Sequence, residues 1–178
     1  YDSHDRRTVG LFSALMGPSA EIRNLGLINP KVDAASGSEV GTLAGGVYYG
    51  ACVNNCYVQG GAIEGLTFVG GLIGYSNFGT VSTCRASCTV VGETAVGGLI
   101  GYSVGEICGC AALGEVRGVD DIGGLVGSNS SHAYSLCPPG FQWAGHGKVA
   151  DSSFSGNVYS SGSRAGGLAG VNLGAINN

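Results

Sequence analysis

The residues best suited to chemistry in this sequence are its seven cysteines, a large number for 178 residues. None of them forms a Cys-x-x-Cys pair or lies beside a histidine, so a zinc or redox motif is not indicated. Intracellular proteins rarely hold this many cysteines without such a role. We therefore expect an extracellular or cell-surface chain with disulfides drawn from Cys52, Cys56, Cys84, Cys88, Cys108, Cys110 and Cys137. The alternative is a set of buried free thiols that pack as small apolar groups.

A second candidate is the segment 130–147, which contains the only tryptophan of the chain. Aromatic side chains on a protruding loop stack on sugars or insert into a partner. The predicted binding residues of this loop are His132, Tyr134, Phe141 and Trp143. In the alternative interpretation, Phe141 and Trp143 fold back and cover the flank of the domain.

No catalytic constellation is evident, so we predict no catalytic, cofactor-binding or metal-binding residues. Glu93, Asp120 and Asp121 form a loose acidic edge, which is more often a solvated corner than the carboxylate pair of a glycosidase. The glycines form neither a dinucleotide-binding nor a phosphate-binding motif. Asn129-Ser130-Ser131 matches a glycosylation sequon.

Composition excludes several classes of protein. Glycine accounts for 35 residues, charged residues make up 11 %, and the formal net charge is −4. Eight cations cannot neutralise a phosphate backbone, so we expect no nucleic-acid partner. Four prolines are too few for collagen. No run of about 18 apolar residues is present, so we expect no membrane-spanning helix.

The sequence contains an internal repeat. The octapeptide VGGLIGYS occurs at 69–76 and again at 96–103, with weaker copies IGGLVGSN, AGGLAGVN and AGGVYYGA elsewhere. Each copy carries a glycine pair, and successive pairs lie 25, 27, 26 and 43 residues apart. The last interval contains the 130–147 insertion. The predicted repeat glycines are Gly45, Gly46, Gly70, Gly71, Gly97, Gly98, Gly123, Gly124, Gly166 and Gly167.

This period predicts an all-β, single-stranded β-solenoid, similar to a parallel β-helix, of about six rungs, a rung being one circuit of the coil. Apolar residues lack helical periodicity, and a unit of about 26 residues buries its apolar side only by stacking on its neighbours. A β-propeller blade usually needs about 40 residues or more. We expect one domain over 1–178, with the loop insertion at 130–147 inside it.

Rungs stacked about 4.8 Å apart place equivalent side chains on top of one another, and Cα atoms at this distance tolerate a disulfide. The expected stacks are Leu72-Leu99-Leu125, Tyr75-Tyr102 and Cys56-Cys84-Cys110. We expect the glycine pairs at tight corners that require positive φ. The segment GGLIG interrupts the alternation of a strand, which indicates either a strand buried on both faces or a bulge.

The G-G-L-x-G core and the following G-x-(I/V)-x-x-(C/S)-x-A-x-G-x-V-x-G pattern resemble the GLUG motif repeat. The resemblance covers most of the sequence from Val9 to Asn178, is weak before Gly41 and fails in the insertion. It implies a secreted or surface-exposed β-solenoid with a structural or adhesive role, because the repeat occurs in bacterial adhesin-like proteins and in non-catalytic parts of some immunoglobulin-A-cleaving peptidases. The HExxH zinc signature is absent, so peptidase activity is not implied.

These observations predict a non-enzymatic extracellular β-solenoid that serves as a stalk, an adhesin segment or a self-assembling filament subunit. No polar cap is evident in 166–178, so we expect either the remainder of a longer solenoid or a head-to-tail second copy at that end. Glycans or a host surface are further candidate partners. The alternative is a carbohydrate-binding or carbohydrate-active β-helix that uses the acidic edge and the aromatic loop. Ice binding would need a threonine stack, and the threonines are scattered.

Overall fold

A computed structural model describes residues 8–131 and 147–178 of the chain. These residues form short parallel strands that wind into a β-solenoid, and no helix occurs among them. Each of the first five rungs contributes a strand to all four sides of the coil, and the sixth rung contributes three strands. The predicted β-solenoid is therefore confirmed, with each rung divided into four sides.

The strands are given by rung. The first rung holds β1 (Thr8–Val9), β2 (Phe12–Met16), β3 (Glu21–Arg23), β4 (Gly26–Ile28) and β5 (Lys31–Asp33). The second holds β6 (Glu39–Gly41), β7 (Ala44–Tyr48), β8 (Cys52–Asn54) and β9 (Tyr57–Glu64). The third holds β10 (Thr67–Gly70), β11 (Ile73–Asn77), β12 (Thr80–Ser82) and β13 (Arg85–Val91).

The fourth rung holds β14 (Thr94–Gly97), β15 (Ile100–Ser103), β16 (Glu106–Cys108) and β17 (Ala111–Gly118). The fifth holds β18 (Asp120–Gly123), β19 (Val126–Asn129), β20 (Lys148–Ala150) and β21 (Ser153–Ser160). The sixth holds β22 (Ala165–Gly166), β23 (Ala169–Asn172) and β24 (Ala175–Asn177).

Strands at the same place in successive rungs pair in parallel and form four sheets. Sheet 1 has the order β1-β6-β10-β14-β18-β22, and sheet 2 has the order β2-β7-β11-β15-β19-β23. Sheet 3 runs β3-β8-β12-β16-β20-β24, and sheet 4 runs β4-β9-β13-β17-β21, with β5 also paired to β9. Each rung therefore finds its hydrogen-bonding partners in the rungs before and after it.

The core lies inside the coil and consists of stacked apolar side chains. Leu72, Leu99 and Leu125 are fully buried, and the Leu72 and Leu99 amides each donate to the carbonyl of the next leucine at 2.9 Å. The predicted leucine stack is confirmed. Because a single rung leaves such side chains exposed on both open faces, the core exists only where rungs stack.

The insertion interrupts the fifth rung between β19 and β20. The Gly147 amide donates to the Ser130 carbonyl at 2.9 Å, so the two ends of the insertion meet. Pairing then resumes in register, with Lys148 opposite Glu106. The longer interval between the last two repeat copies therefore reflects an addition at one corner of an otherwise regular rung.

The GGLIG segment is a corner between two sheets and holds no bulge, whereas β11, which begins inside it, is buried at all five residues, as the doubly buried alternative expected. In the third rung β10 ends at Gly70 and β11 begins at Ile73, which leaves Gly71 and Leu72 between the strands. Two adjacent apolar residues are accommodated because the chain changes direction between them.

Glycine is needed at these corners for a reason other than the one expected from sequence. None of the glycine-pair residues from Gly70 to Gly167 has a positive φ. A Cβ atom on Gly71, Gly98 or Gly124 would instead overlap the carbonyl oxygen of the corresponding glycine in the next rung. The requirement is a close backbone approach between rungs, which at these three positions leaves no space for a Cβ atom.

The second rung aligns differently from the prediction. Gly70 pairs with Gly41 and Tyr75 pairs with Gly46, so the glycine pair at 45–46 is not equivalent to the later pairs. Thr42 replaces the second glycine of the pair, and its hydroxyl donates to the Gly71 carbonyl at 2.6 Å. The prediction that Gly45 and Gly46 form the repeat pair was wrong by four residues.

Candidate functional site

The cysteine stack is the most regular set of chemically distinctive side chains in the described residues. Cys56, Cys84 and Cys110 are buried at the same corner of successive rungs, where sheet 3 leads into sheet 4. The Cys56 amide donates to the Cys84 sulfur at 3.4 Å, and the Cys84 amide donates to the Cys110 sulfur at 3.3 Å. The series continues into the fifth rung, where the Cys110 amide donates to the Ser152 hydroxyl at 3.0 Å.

The thiols of Cys84 and Cys110 act as both donor and acceptor, and the thiol of Cys56 donates to backbone carbonyls. The thiols of Cys84 and Cys110 donate to the carbonyls two residues earlier, at 3.2 and 3.4 Å. Ser152 makes the same contact with Ala150 through its hydroxyl, at 2.6 Å. Cysteine and serine therefore serve one purpose at this corner, which is to satisfy backbone groups that the change of direction removes from the sheets.

The six cysteines within the described residues are free thiols, in contrast to the predicted disulfides. Their thiols satisfy neighbouring backbone groups, as in the alternative of buried free thiols. Cys137 lies outside the described residues. Of the three cysteines beyond the stack, Cys88 is buried, Cys52 is half-buried and Cys108 is exposed.

Burial and hydrogen bonding raise the pKa of three of these thiols. Loss of solvation raises the pKa of Cys88 to about 12 and also raises the pKa of the half-buried Cys52. The hydrogen bond with Cys110, together with burial, raises the pKa of Cys84. Because the thiolate is the nucleophilic form, these cysteines are unsuited to nucleophilic catalysis near neutral pH.

We predict a graded reaction of the thiols with a water-soluble disulfide reagent. In a Cys137→Ser background, Cys108 should react first and Cys52 more slowly, whereas the four buried thiols should react only after unfolding. Time-resolved thiol counting with peptide mapping checks this order. Rapid labelling of Cys84 in the folded chain would contradict the buried stack.

The predicted aromatic binding loop lies outside the described residues, because His132, Tyr134, Phe141 and Trp143 all fall within 132–146. Its ends are placed at the corner where sheet 2 leads into sheet 3. The binding role of the loop therefore stays a prediction.

Two of the three residues of the predicted acidic edge make side-chain contacts with the sixth rung. Asp120 accepts hydrogen bonds from the amide and the hydroxyl of Ser163, both at 2.7 Å. These bonds hold the pKa of the Asp120 carboxyl below its ordinary value. Asp121 pairs with Arg164, and Glu93 is an exposed corner residue whose carbonyl accepts from the Asp120 amide at 2.9 Å. The Asp120 and Asp121 carboxylates fasten the corner of the sixth rung to the fifth.

The sequon asparagine is not available for modification in the folded chain. Asn129 is fully buried, and its side-chain nitrogen donates to the Asn172 side-chain oxygen at 2.7 Å and to the Gly147 carbonyl at 3.3 Å. A glycan on this nitrogen would remove the bond between the fifth and sixth rungs and would have no space.

We therefore predict that folded chain secreted from a glycosylating host carries no glycan at Asn129. The peptide that contains Asn129 should have its unmodified mass, and the intact mass of the purified protein should include no glycan at this residue. An Asn129 glycopeptide recovered from protein with native β-sheet circular dichroism would contradict the burial of this side chain.

An aromatic cluster separate from the main core spans rungs two to four. Tyr75 and Tyr102 stack with ring centroids 5.3 Å apart and planes 15° apart, which confirms the predicted tyrosine stack. Phe68 lies against both, at 5.5 and 5.2 Å, and Tyr48 lies 5.8 Å from Tyr75. Phe68 and Tyr48 could not be predicted from the sequence, because neither residue recurs at its repeat position.

This cluster is built for packing. Tyr75 and Tyr102 are each only 7 % exposed, because their rings cover one another and Phe68. The Tyr48 hydroxyl donates to the Glu39 carboxylate, and burial with this bond raises the pKa of Tyr48. Little ring face is left on which a sugar could stack.

Residues 8–131 and 147–178 contain no group of three or more histidine, cysteine or acidic side chains that could hold a metal ion. The same residues contain no helix long and apolar enough to cross a membrane. Comparison of the sequence with family models and curated proteins, and of the fold with solved structures, finds no match.

Proposed function

We propose that this chain is a non-enzymatic structural segment of an extracellular or cell-surface protein, a stiff spacer such as a stalk or part of an adhesin. The observation that carries the proposal is the unbroken stacking of all six rungs on a single core. The resemblance to the GLUG repeat favours the same role and the same location.

The geometry supports a mechanical role. Sheets 1, 2 and 3 each run through six rungs, and sheet 4 begins in the first rung and runs to the fifth. Bending the coil would stretch parallel hydrogen bonds on one side and compress close backbone contacts at the glycine corners on another. A solenoid of this kind holds its two ends at a fixed distance of roughly 4.8 Å per rung.

Several side chains that could favour an enzyme are engaged in contacts between rungs. Asp120 and Asp121 fasten the sixth rung, and the cysteines of the stack satisfy backbone groups. A carbohydrate-active alternative would have to rest on the exposed Glu93 carboxylate and the 132–146 segment.

Two measurements test the proposal. Antibodies against the folded chain should label intact cells of the source organism as strongly as permeabilised ones, and labelling only after permeabilisation would overturn the location. The purified chain should leave a panel of polysaccharides unchanged, and turnover that is lost on replacing Asp120 or Trp143 would replace the structural role with an enzymatic one.

A further inference from the structure

The corner where sheet 2 leads into sheet 3 holds every buried side-chain oxygen or nitrogen atom that lacks a hydrogen-bond partner among the described residues. These atoms are the hydroxyl oxygen of Ser76 and the amide oxygens of Asn77 and Asn129. Ser76 and Asn129 are 0 % exposed, and Asn77 is 2 % exposed. A buried polar atom without a partner lowers stability, so three of them at one corner point to a ligand that supplies hydrogen bonds there.

Two of the three residues belong to one stack inside the coil, in the third to fifth rungs. The register pairs Ser76 with Val47 in the rung before it and with Ser103 in the rung after it. Ser103 in turn pairs with Asn129. Val47 is fully buried in the apolar core. The stack therefore changes from apolar in the second rung to polar in the third, fourth and fifth.

The length of the corner explains why Ser76 lacks the hydrogen bond that Ser103 has. In the fourth rung one residue separates Ser103 from Gly105, whose amide donates to the Ser103 hydroxyl at 3.2 Å. In the third rung two residues separate Ser76 from Gly79, because Phe78 is additional. The chain takes a longer path around this corner, and the Gly79 amide makes no bond to the Ser76 hydroxyl.

The size and the spacing of this stack fit a water molecule. A serine side chain has one non-hydrogen atom fewer than the valine at the same position in the second rung, and a water molecule takes up about 30 Å³. Equivalent hydroxyl oxygens in successive rungs are roughly 4.8 Å apart, which is too far for a direct hydrogen bond. Water placed between two such oxygens reaches both at about 2.8 Å with a nearly tetrahedral angle.

Both unpartnered oxygens of the stack are turned toward the glycine that ends the corner of their own rung. A Cβ atom added at Gly79 would lie 3.0 Å from the Ser76 hydroxyl oxygen. A Cβ atom added at Gly147 would lie 2.3 Å from the Asn129 amide oxygen. These oxygens therefore face positions at which the chain carries no side chain.

The chemistry of the corner favours water over a cation. Hydroxyl and amide oxygens accept hydrogen bonds from water, and none of the buried polar side chains within the described residues carries a charge. A metal ion at this place would remain a buried charge without compensation.

We propose that ordered water is bound inside this corner, one molecule between Ser76 and Ser103 and a second between Ser103 and Asn129. Each molecule donates to an oxygen that otherwise has no partner. The Ser103 hydroxyl donates to one molecule and accepts from the other, and its second lone pair keeps the bond from the Gly105 amide. Water thus joins three rungs where the side chains are too short to meet. This inference goes beyond the structural role, which stands without it.

Magnetic relaxation dispersion of the water oxygen, measured on the full 178-residue chain, tests the proposal because it counts long-lived internal water molecules and is insensitive to hydroxyl exchange. We expect at least two such molecules in the wild-type chain and the loss of one in Ser76→Val. This variant should fold, since Val47 holds the same position one rung earlier. Ser87→Val is the matched control, because Ser87 lies in the same rung on the outer face of sheet 4, and it should leave the count unchanged.

A wild-type chain without long-lived water, or a Ser76→Val chain that keeps the wild-type count, would overturn the inference. Circular dichroism checks that each variant folds. Should Ser76→Val fail to fold, a crystal structure of the wild-type chain grown in a rubidium salt decides. We expect water density within hydrogen-bonding distance of the Ser76 and Ser103 oxygens. A dry corner, or anomalous density from rubidium between these oxygens, would defeat the proposal.

Discussion

Replacing Gly98 by alanine is expected to lower the free energy of unfolding by more than about 3 kcal/mol, whereas the same change at Gly167 should alter it by less than about 0.5 kcal/mol. The added Cβ atom at Gly98 overlaps the Gly124 carbonyl oxygen. The Gly98 amide also donates to that carbonyl at 3.0 Å, so the two rungs cannot separate without losing a ladder hydrogen bond. Urea unfolding of both variants at low protein concentration measures the difference.

A comparison of Gly109 with Gly98 distinguishes two reasons for glycine at a corner, a positive φ and a close approach of the neighbouring backbone. Gly109 has a φ of 62°, and the atom nearest to a Cβ added at this residue, the Thr83 amide nitrogen, lies 4.0 Å from it. Asn24 and Asn55 hold the equivalent corner in the first two rungs with similar positive φ values. Gly109→Asn should therefore be tolerated, and Gly98→Asn should not. A stable Gly98→Asn protein would show that the rungs do not approach as closely as the structure indicates.

The stacks were predictable from sequence because they depend on identity at a fixed period. Leu72, Leu99 and Leu125 recur within near-identical copies, and a unit of about 26 residues has no way to bury them except against one another. The tyrosine pair followed from the same reasoning. Residues that occupy their repeat position in only one rung, such as Phe68, gave no such signal although they pack equally well.

The register of the second rung could not be read from the sequence. Gly45–Gly46 resembles the later pairs, but the position that must accept a neighbouring carbonyl is decided by strand pairing, which places Gly41 and Thr42 there. Thr42 is tolerated because its hydroxyl hydrogen-bonds the carbonyl it meets. A sequence pattern shows which residues are small, but it does not show which of them lies against the backbone carbonyl of the neighbouring rung.

The cysteine stack was predicted at the correct corner, but its thiols are free and are not joined in the predicted disulfides. Geometry alone allows a disulfide between rungs, but the thiols of Cys84 and Cys110 are occupied with backbone amides and carbonyls. Ser152 at the same repeat position was the available signal. Because serine cannot form a disulfide, a position that accepts either serine or cysteine indicates a need for a hydrogen-bonding side chain and not for a cross-link.

Truncating Leu99 to alanine is expected to cost about 2–5 kcal/mol of unfolding free energy, because the cavity is enclosed by rungs on both sides and cannot collapse. Leu168 occupies the same stack in the sixth rung but is only half-buried. Leu168→Ala should therefore cost less than half as much. Both variants keep the backbone unchanged, so the comparison isolates side-chain burial.

Urea unfolding of dilute, monomeric protein provides the measurement, with the denaturant dependence expected to match that of the wild-type chain. In a solenoid, stability is nearly a sum of contributions from rungs and from the interfaces between neighbours. Leu99 belongs to two such interfaces within the described residues, whereas Leu168 belongs to one. Equal losses for the two variants would mean that the core does not depend on stacking. The structural role would then lose its physical basis, because a rod whose rungs do not support one another cannot hold its ends apart.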